Sequence, residues 1–355
     1  MISTLDGETS VTVRPSGLRV SLLVLAIAAL GVAIVAGVLI GPVPLRLGNV
    51  ARALVDRLPF VDVDSGMDAQ ASAILWQLRL PRVVLAALVG GTLATSGAAY
   101  QGVFRNPLAD PYLLGVAAGA GLGATIAIAY LPSVDWAVNP LPLAAFAGSL
   151  LGVSITYSLG RARWQRRTAA TLILAGVATA SFLTAIQTYI QQREDETVRQ
   201  VYSWILGQLT TAGWREVLLV LPYVAVSVGT IALHRRLLDV LSVGDEEAAT
   251  LGVDIRRVRL TIVLAASLGT AAAVAVSGLI GFVGVIVPHT VRMMFGTSYR
   301  VLAPMSLLLG GAFLVGADLA GRTLAAPAEI PIGVITAFLG APFFLVVLQR
   351  TGRVT

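Results

Sequence analysis

The feature that most constrains this chain is a series of long apolar runs, which recur from residue 18 to residue 348 between short polar or Pro/Gly-rich stretches. About 20 apolar residues in a helix cross the ~30 Å hydrocarbon core of a bilayer. The chain is 56% hydrophobic and 12% charged, which excludes an ordinary soluble globule with a charged surface. We therefore predict an all-α membrane protein that uses the bilayer as its solvent.

Eight of these runs have the length of one span, and they cover residues 18–40, 83–104, 113–131, 141–159, 169–190, 217–233, 301–321 and 332–348. A further run, residues 260–295, is too long for one span and contains Gly278, Gly281 and Gly284. We predict a break between Gly278 and Gly281, which makes about ten transmembrane helices. The first is expected to be an uncleaved helix, because its apolar run is longer than a signal-peptide core.

The distribution of arginine supports this count and predicts an orientation. All 25 basic residues are arginine, and ten spans with both termini in the cytoplasm put 16 of them on the cytoplasmic side. Without the break, the division becomes 13 against 12 and the bias is lost. The predicted organisation is a cytoplasmic N-terminal segment (1–17), a ten-helix transmembrane domain (18–349) and a cytoplasmic C-terminal tail (350–355).

Two residue types are absent, lysine and cysteine. A phosphate-binding loop of the G-x-x-x-x-G-K-[ST] type needs a lysine, so any ATP hydrolysis would have to reside in a separate subunit. The lack of cysteine excludes disulfides, thiolate metal ligands and a thiol nucleophile. His234 and His289 lie in different segments without paired carboxylates, so we predict no catalytic site, metal or cofactor in this chain. The arginines lie at helix ends, which argues against a nucleic-acid partner.

Two polar segments fall on the predicted outer side. QLRLPR (residues 77–82) carries Arg79 and Arg82, whose side chains either snorkel to the interface or bind a partner. ADLAGRTLAAPAEIPIGV (residues 317–334) carries Asp318 and Arg322, which are four residues apart and can pair on one helix face. Glu329 is an alternative partner for Arg322 in place of Asp318.

Two others fall on the predicted inner side. RNPLADPYLLG (residues 105–115) contains two prolines and must be irregular backbone, which indicates either a pore-closing element or a plain tight loop. The segment 237–258 contains two short amphipathic helical patterns around Gly244. It is either a docking surface for a cytoplasmic partner or a solvated connector.

Taken together, these segments resemble the FecCD family, the iron-siderophore and vitamin B12 permeases of bacterial type II ABC importers. The resemblance rests on QLRLPR (77–82), SGAAYQGVFRNPLADPYLLGV (96–116), LILAGV (172–177), GFVGVIVPHTVRM (281–293) and EIPIGVITAFLGAPFF (329–344). It implies a type II importer permease fold in the cell membrane and a homodimer of ten-helix subunits. It further implies two ATP-binding subunits that use ATP and magnesium, and an extracytoplasmic substrate-binding protein.

The resemblance also implies roles for particular residues. Those matching docking points for acidic residues of the binding protein are Arg79, Arg82 and Arg322. Those matching the cytoplasmic gate are Asn106 and Leu108, whereas the gate residues at the start of the predicted fifth helix stay unassigned. Segment 237–258 is implied to form the coupling helices that meet the ATPase, with Glu246, Glu247, Leu251 and Gly252 at the contact.

The expected cargo is a ferric siderophore on family frequency, with vitamin B12 or haem as alternatives that no residue discriminates. The main alternative in another class is an ion-coupled secondary transporter. Such carriers often hold acids inside the membrane, and mid-helix acids are nearly absent here, with Asp318 close to an outer end. A purely structural membrane protein is the remaining alternative.

Overall fold

The fold is a bundle of helices, seen in a computed structural model that describes residues 20–59, 63–131, 139–162, 169–193, 195–210 and 212–351. Over these residues we number the helices α1 Val20–Leu39, α2 Leu47–Asp56, α3 Ala69–Phe104, α4 Val116–Tyr130, α5 Pro140–Ala162, α6 Ala169–Gln191 and α7 Asp195–Ile205. The remainder are α8 Trp214–Leu233, α9 Arg235–Val243, α10 Asp245–Thr250, α11 Ile255–Ser277, α12 Val283–Phe295, α13 Tyr299–Thr323 and α14 Ile332–Thr351.

Seven of the described helices are long and apolar enough to cross a bilayer, namely α1, α3, α5, α6, α8, α11 and α13. Shorter apolar helices are α4, α12 and the first part of α14. The predicted all-α, multi-pass character is therefore confirmed. The count of ten spans and the cytoplasmic location of the termini stay predictions. The terminal segments 1–17 and 352–355 lie outside the described residues.

The predicted break in the run 260–295 is confirmed, because α11 ends at Ser277 and α12 begins at Val283. Gly278 begins the break with φ = +69°, a conformation that favours glycine. A Cβ atom at this position would lie 2.1 Å from the backbone oxygen of Trp204. Tyr112 fixes the break from the other side, since its hydroxyl donates to the Ile280 oxygen and accepts from the Ile280 nitrogen, both at 3.0 Å.

Close helix packing through small residues builds the interior. Helix α3 lies at the centre and packs against α8, α11, α12 and α13. A Cβ at Gly97 in α3 would lie 2.0 Å from the backbone oxygen of Gly284 in α12. A Cβ at Gly119 in α4 would lie 2.1 Å from the backbone oxygen of Gly148 in α5. These backbones approach so closely that only glycine fits.

Two helices and one helix extension were absent from the prediction. Helix α2 buries Val50 and Ala53 and exposes Leu47 and Leu54, while α7 is likewise amphipathic. Helix α3 begins at Ala69, well before residue 83, and contains one wide π-helical turn, Ile74–Arg79. Such turns occur frequently at functional sites. This one ends on Arg79.

Candidate functional site

At one end of the bundle, three charged side chains meet around Arg82, which follows Pro81 in α3. Its Nη2 atom lies 2.8 Å from Asp318 Oδ1 and 2.8 Å from Glu329 Oε2. Arg322 Nε lies 3.0 Å from Asp318 Oδ2, one turn away on α13. The predicted pair Asp318–Arg322 is therefore present, and Glu329 pairs with Arg82 rather than with Arg322.

Arg79 and Arg322 bind the C-terminal end of α1. Arg79 Nη1 donates to the backbone oxygens of Val38 and Leu39 at 2.8 and 3.1 Å, and its Nη2 donates to the oxygen of Val43. Arg322 Nη2 donates to the backbone oxygen of Gly37 at 3.0 Å. The last carbonyls of a helix lack intrahelical partners and carry partial negative charge, so two cations satisfy and stabilise this end.

Burial distinguishes the three arginines that the sequence grouped together. Arg79 and Arg322 are 6% and 5% exposed, and Asp318 is 2% exposed. The side chain of Arg82 is 15% exposed and that of Glu329 is 38% exposed. We call these five residues the arginine cluster. Only Arg82 and Glu329 are accessible at the surface of the cluster, while Arg79, Arg322 and Asp318 are buried within the bundle.

The loop 105–115 between α3 and α4 has the irregular backbone that its prolines predicted. Arg105 ends α3 with φ = +50°, in the left-handed region. Asn106 Oδ1 accepts a hydrogen bond from the Leu108 nitrogen at 2.9 Å, and the Asn106 nitrogen donates to the Gln101 oxygen at 3.1 Å. Leu108 is 39% exposed. The two predicted gate residues therefore form one hydrogen-bonded turn with an apolar tip.

An apolar cleft of about 550 Å³ adjoins this loop. Among the residues that line it are Tyr112, Phe282, Val285 and Phe344. The adjoining helix α14 exposes Phe338 by 75% and Leu345 by 60%. The exposed apolar surface of α14 and the cleft together present an uncovered apolar face beside the loop.

The two short helices that the pattern of segment 237–258 predicted are present as α9, which begins two residues earlier at Arg235, and α10. Leu238, Leu241 and Ala248 are fully buried against the bundle. The predicted contact residues Glu246, Glu247, Leu251 and Gly252 are exposed, Leu251 by 69%, and Gly252 has φ = +74°. One face of the segment therefore packs against the bundle, and the opposite face, which carries acidic and apolar residues, is exposed.

Sequence reasoning assigned no role to three polar residues at this end of the bundle, which are Gln101, Asp239 and Arg292. Gln101 is 3% exposed inside α3, and its side-chain oxygen accepts a hydrogen bond from Arg292 in α12. Asp239 in α9 accepts from the backbone nitrogen of Tyr299 at 2.6 Å. The available signal was a polar side chain inside an apolar run, as at Gln101. Among the described residues, no three His, Cys, Asp or Glu side chains form a group that could hold a metal ion.

Comparison with known proteins assigns the chain to a family. The model of the FecCD transport family matches residues 22–350, nearly the whole sequence. The chain belongs to the FecCD transport family. It is thus a multi-pass ABC-type transport permease, as the motifs predicted.

Individual FecCD relatives match this chain over most of their own length. The cobalamin import system permease protein of Halobacterium salinarum is 45% identical over 284 residues, which are 80% of this chain and 75% of the relative. The hemin transport system permease protein of Yersinia pestis is 42% identical over 282 residues, 78% of this chain and 83% of the relative. A metal-chelate-type ABC transporter solved in an inward-facing conformation superposes with a TM-score of 0.80 at 27% identity, covering 93% of this chain and 99% of that one.

Proposed function

We propose that this FecCD permease is the membrane-spanning subunit of an ABC importer that carries a metal-centred chelate into the cytoplasm. The observation that carries the proposal is the family match over residues 22–350 in a chain that contains no lysine. The chain therefore supplies the path, and a separate subunit must supply ATP hydrolysis with magnesium. Alternating access of the path to the two membrane faces follows from this division.

A substrate-binding protein is proposed to dock at the arginine cluster. The Arg82 guanidinium is partly exposed and is held by Asp318 and Glu329, so acidic residues of a partner can approach it from outside. Arg79 and Arg322 contribute to docking by holding the end of α1 in place beneath this surface. Exposed ion pairs contribute only about 0–1 kcal/mol each, so this surface serves orientation and encounter more than affinity.

The ATP-binding subunit is proposed to dock on segment 237–258. Its exposed residues Glu246, Glu247, Leu251 and Gly252 combine negative charge with an apolar side chain on short helices. The buried residues Leu238 and Leu241 attach the same segment to the bundle, which allows motion of the partner to reach the membrane helices. Asn106 and Leu108 are proposed to form the cytoplasmic gate that this motion opens and closes.

A homodimer is proposed to enclose the translocation path. The apolar cleft beside loop 105–115 and the exposed side chains of α14, such as Phe338 and Leu345, form a face that a second copy can cover. Side chains of this kind offer few charges that could trap a substrate. An apolar path favours passage over tight binding.

The cargo is proposed to be a ferric siderophore, with vitamin B12 and haem as alternatives that the relatives' names support equally well. An ion-coupled carrier is less consistent with the buried charges. Asp318 is 2% exposed and is paired with Arg82 and Arg322, so it is engaged by cations rather than available to carry a proton or ion. Asp110, in loop 105–115, accepts a hydrogen bond from the Tyr112 nitrogen at 2.7 Å and caps the short turn that follows it.

Purification from cells that also make the cognate partners tests the proposal. We expect tagged chain to retain an ATP-binding subunit, and loaded binding protein to join the complex. Uptake by cells should stop when the ATP-binding subunit carries an inactive nucleotide site. The proposal fails if neither partner associates and uptake continues in the absence of ATP.

A further inference from the structure

We propose that Arg292 is a positioning residue that connects segment 237–258 to the gate loop 105–115 through Tyr299 and Gln101. The inference rests on the proposed function and extends it, because it assigns a path between the ATPase contact and the gate. Each link in this path is a hydrogen bond, and two of the links, Asp239–Tyr299 and Arg292–Gln101, join residues far apart in sequence. Together the links form one continuous chain through the cytoplasmic end of the bundle.

The chain begins at Asp239 in α9. Its carboxylate accepts hydrogen bonds from the Tyr299 nitrogen at 2.6 Å and from Ser298 Oγ at 3.1 Å. These residues begin α13, where backbone N–H groups lack helical partners and favour a negative charge. Leu238 and Leu241 flank Asp239 on the buried side of α9. Helix α9 is therefore fixed to the first turn of α13 by both packing and charge.

Tyr299 carries the connection from α13 to α12. Its side chain is 4% exposed, and its hydroxyl accepts a hydrogen bond from Arg292 Nη2 at 3.3 Å. The hydroxyl also rests on Gly102 of α3, where a Cβ atom would lie 2.6 Å from it. A glycine at this position therefore gives the tyrosine its place beside α3. The ring cannot shift toward α3 without moving that helix.

Gln101 carries the connection into the gate loop. Arg292 Nη1 donates to its side-chain oxygen, and its side-chain nitrogen donates to the Gly284 oxygen at 3.1 Å. The backbone oxygen of Gln101 accepts from the nitrogen of Asn106, a proposed gate residue. Hydrogen bonds that involve a charged donor are stronger than neutral ones, and chains of them reinforce each other.

Arg292 is partly buried in the last turn of α12, where a cation also favours the helix C-terminus. The helix end alone would accept any basic residue, whereas the two side-chain hydrogen bonds give Arg292 a specific connection. Arg292 joins α3, α12 and α13 at the point where α3 ends and the gate loop starts. A displacement of α9 would therefore change the position of Tyr299, then Arg292, then Gln101 and the loop.

The experiment uses the whole importer in proteoliposomes, with Leu108→Cys as a reporter in this otherwise cysteine-free chain. The labelling rate of position 108 with a water-soluble maleimide is measured without nucleotide and with ATP plus vanadate. We expect nucleotide trapping to change the rate by at least about fivefold, as a coupling of this size requires. In Arg292→Met, the change should fall below about twofold while ATP hydrolysis and ATPase association persist.

Matched variants separate coupling from stability. Arg292→Lys keeps a charged donor and should restore part of the response, while Arg199→Met, at an exposed site on α7, should keep all of it. Tyr299→Phe removes one hydroxyl and should at least halve the response, and it decides the matter if Arg292→Met does not fold. An undiminished response in Arg292→Met or in Tyr299→Phe overturns the inference. Failure of the unaltered chain to bind an ATPase subunit would instead reject the proposed function.

Discussion

Arg82 and Asp318 form an ion pair at 2.8 Å between helices α3 and α13, although 236 residues separate them in the sequence. Asp318 also binds Arg322 at 3.0 Å, so one carboxylate with 2% exposure holds two guanidinium groups. The pair connects the open edge of the arginine cluster to the residues that bind the end of α1. We therefore expect both the stability of this end of the bundle and the proposed docking to depend on it.

Replacing Asp318 with asparagine tests the structural role of this carboxylate. Loss of one partner leaves buried positive charge without compensation, which is expected to cost about 3 kcal/mol of stability. Glu329→Gln is the matched control, because its side chain is 38% exposed and an exposed pair contributes about 1 kcal/mol or less. Thermal unfolding in detergent measures both. Equal losses in the two variants would contradict the proposed difference.

Replacing Arg82 with glutamine tests the docking surface. We expect the binding protein to associate with the variant importer in nanodiscs more slowly and to bind it up to about fivefold more weakly, about 1 kcal/mol or less, with less dependence on salt. Arg199→Gln provides a control, because this arginine is exposed on α7 and lies outside the arginine cluster. If both variants bind as the unaltered protein does, the docking proposal for Arg82 is wrong.

Reversing one charge on segment 237–258 tests the ATPase contact. Glu246 is exposed at the start of α10. Glu246→Arg should weaken association of the ATP-binding subunit by roughly tenfold, since like charges facing each other disfavour a complex. Pull-down titration gives the affinity, and Arg199→Glu serves as a reversal elsewhere. Unchanged affinity in Glu246→Arg would remove this residue from the contact.

Single cysteines test the orientation of the bundle. Leu251 and Leu58 are 69% and 55% exposed, and no native cysteine competes for reagent. In intact cells, an impermeant maleimide should label Leu58→Cys and leave Leu251→Cys unlabelled, and permeabilisation should expose the latter. The reverse pattern would invert the predicted topology, including the cytoplasmic location of segment 237–258.

Much of the fold follows from local patterns. A bilayer sets the length of a helix, so apolar runs indicate spans directly, and the glycines at 278 and 281 mark a real break between α11 and α12. The pair Asp318–Arg322 is also local, because helical neighbours lie four residues apart. Helix α2 escaped notice because its ten residues mix Asn49, Arg52 and Asp56 with apolar side chains and resemble a polar connector.

The rest of the candidate site depends on contacts between distant residues, which the spacing of residues in the sequence does not predict. Arg79 binds carbonyls about 40 residues away, and Arg292 reaches Gln101 across 191 residues. A motif indicates that these arginines matter, whereas only the packed bundle distinguishes a buried helix cap from an exposed docking charge. The family resemblance grouped Arg79, Arg82 and Arg322 together. Burial separates Arg82 from the other two.

Uptake by the reconstituted importer tests the central claim most directly. The chain, its ATP-binding subunit and its binding protein are placed in proteoliposomes and offered labelled ferric siderophore, cobalamin and haem in competition. We predict accumulation of one of these chelates, with ferric siderophore the first choice, only when ATP and magnesium reach the ATP-binding subunit. Accumulation driven by an ion gradient without ATP, or none of any chelate, would contradict it.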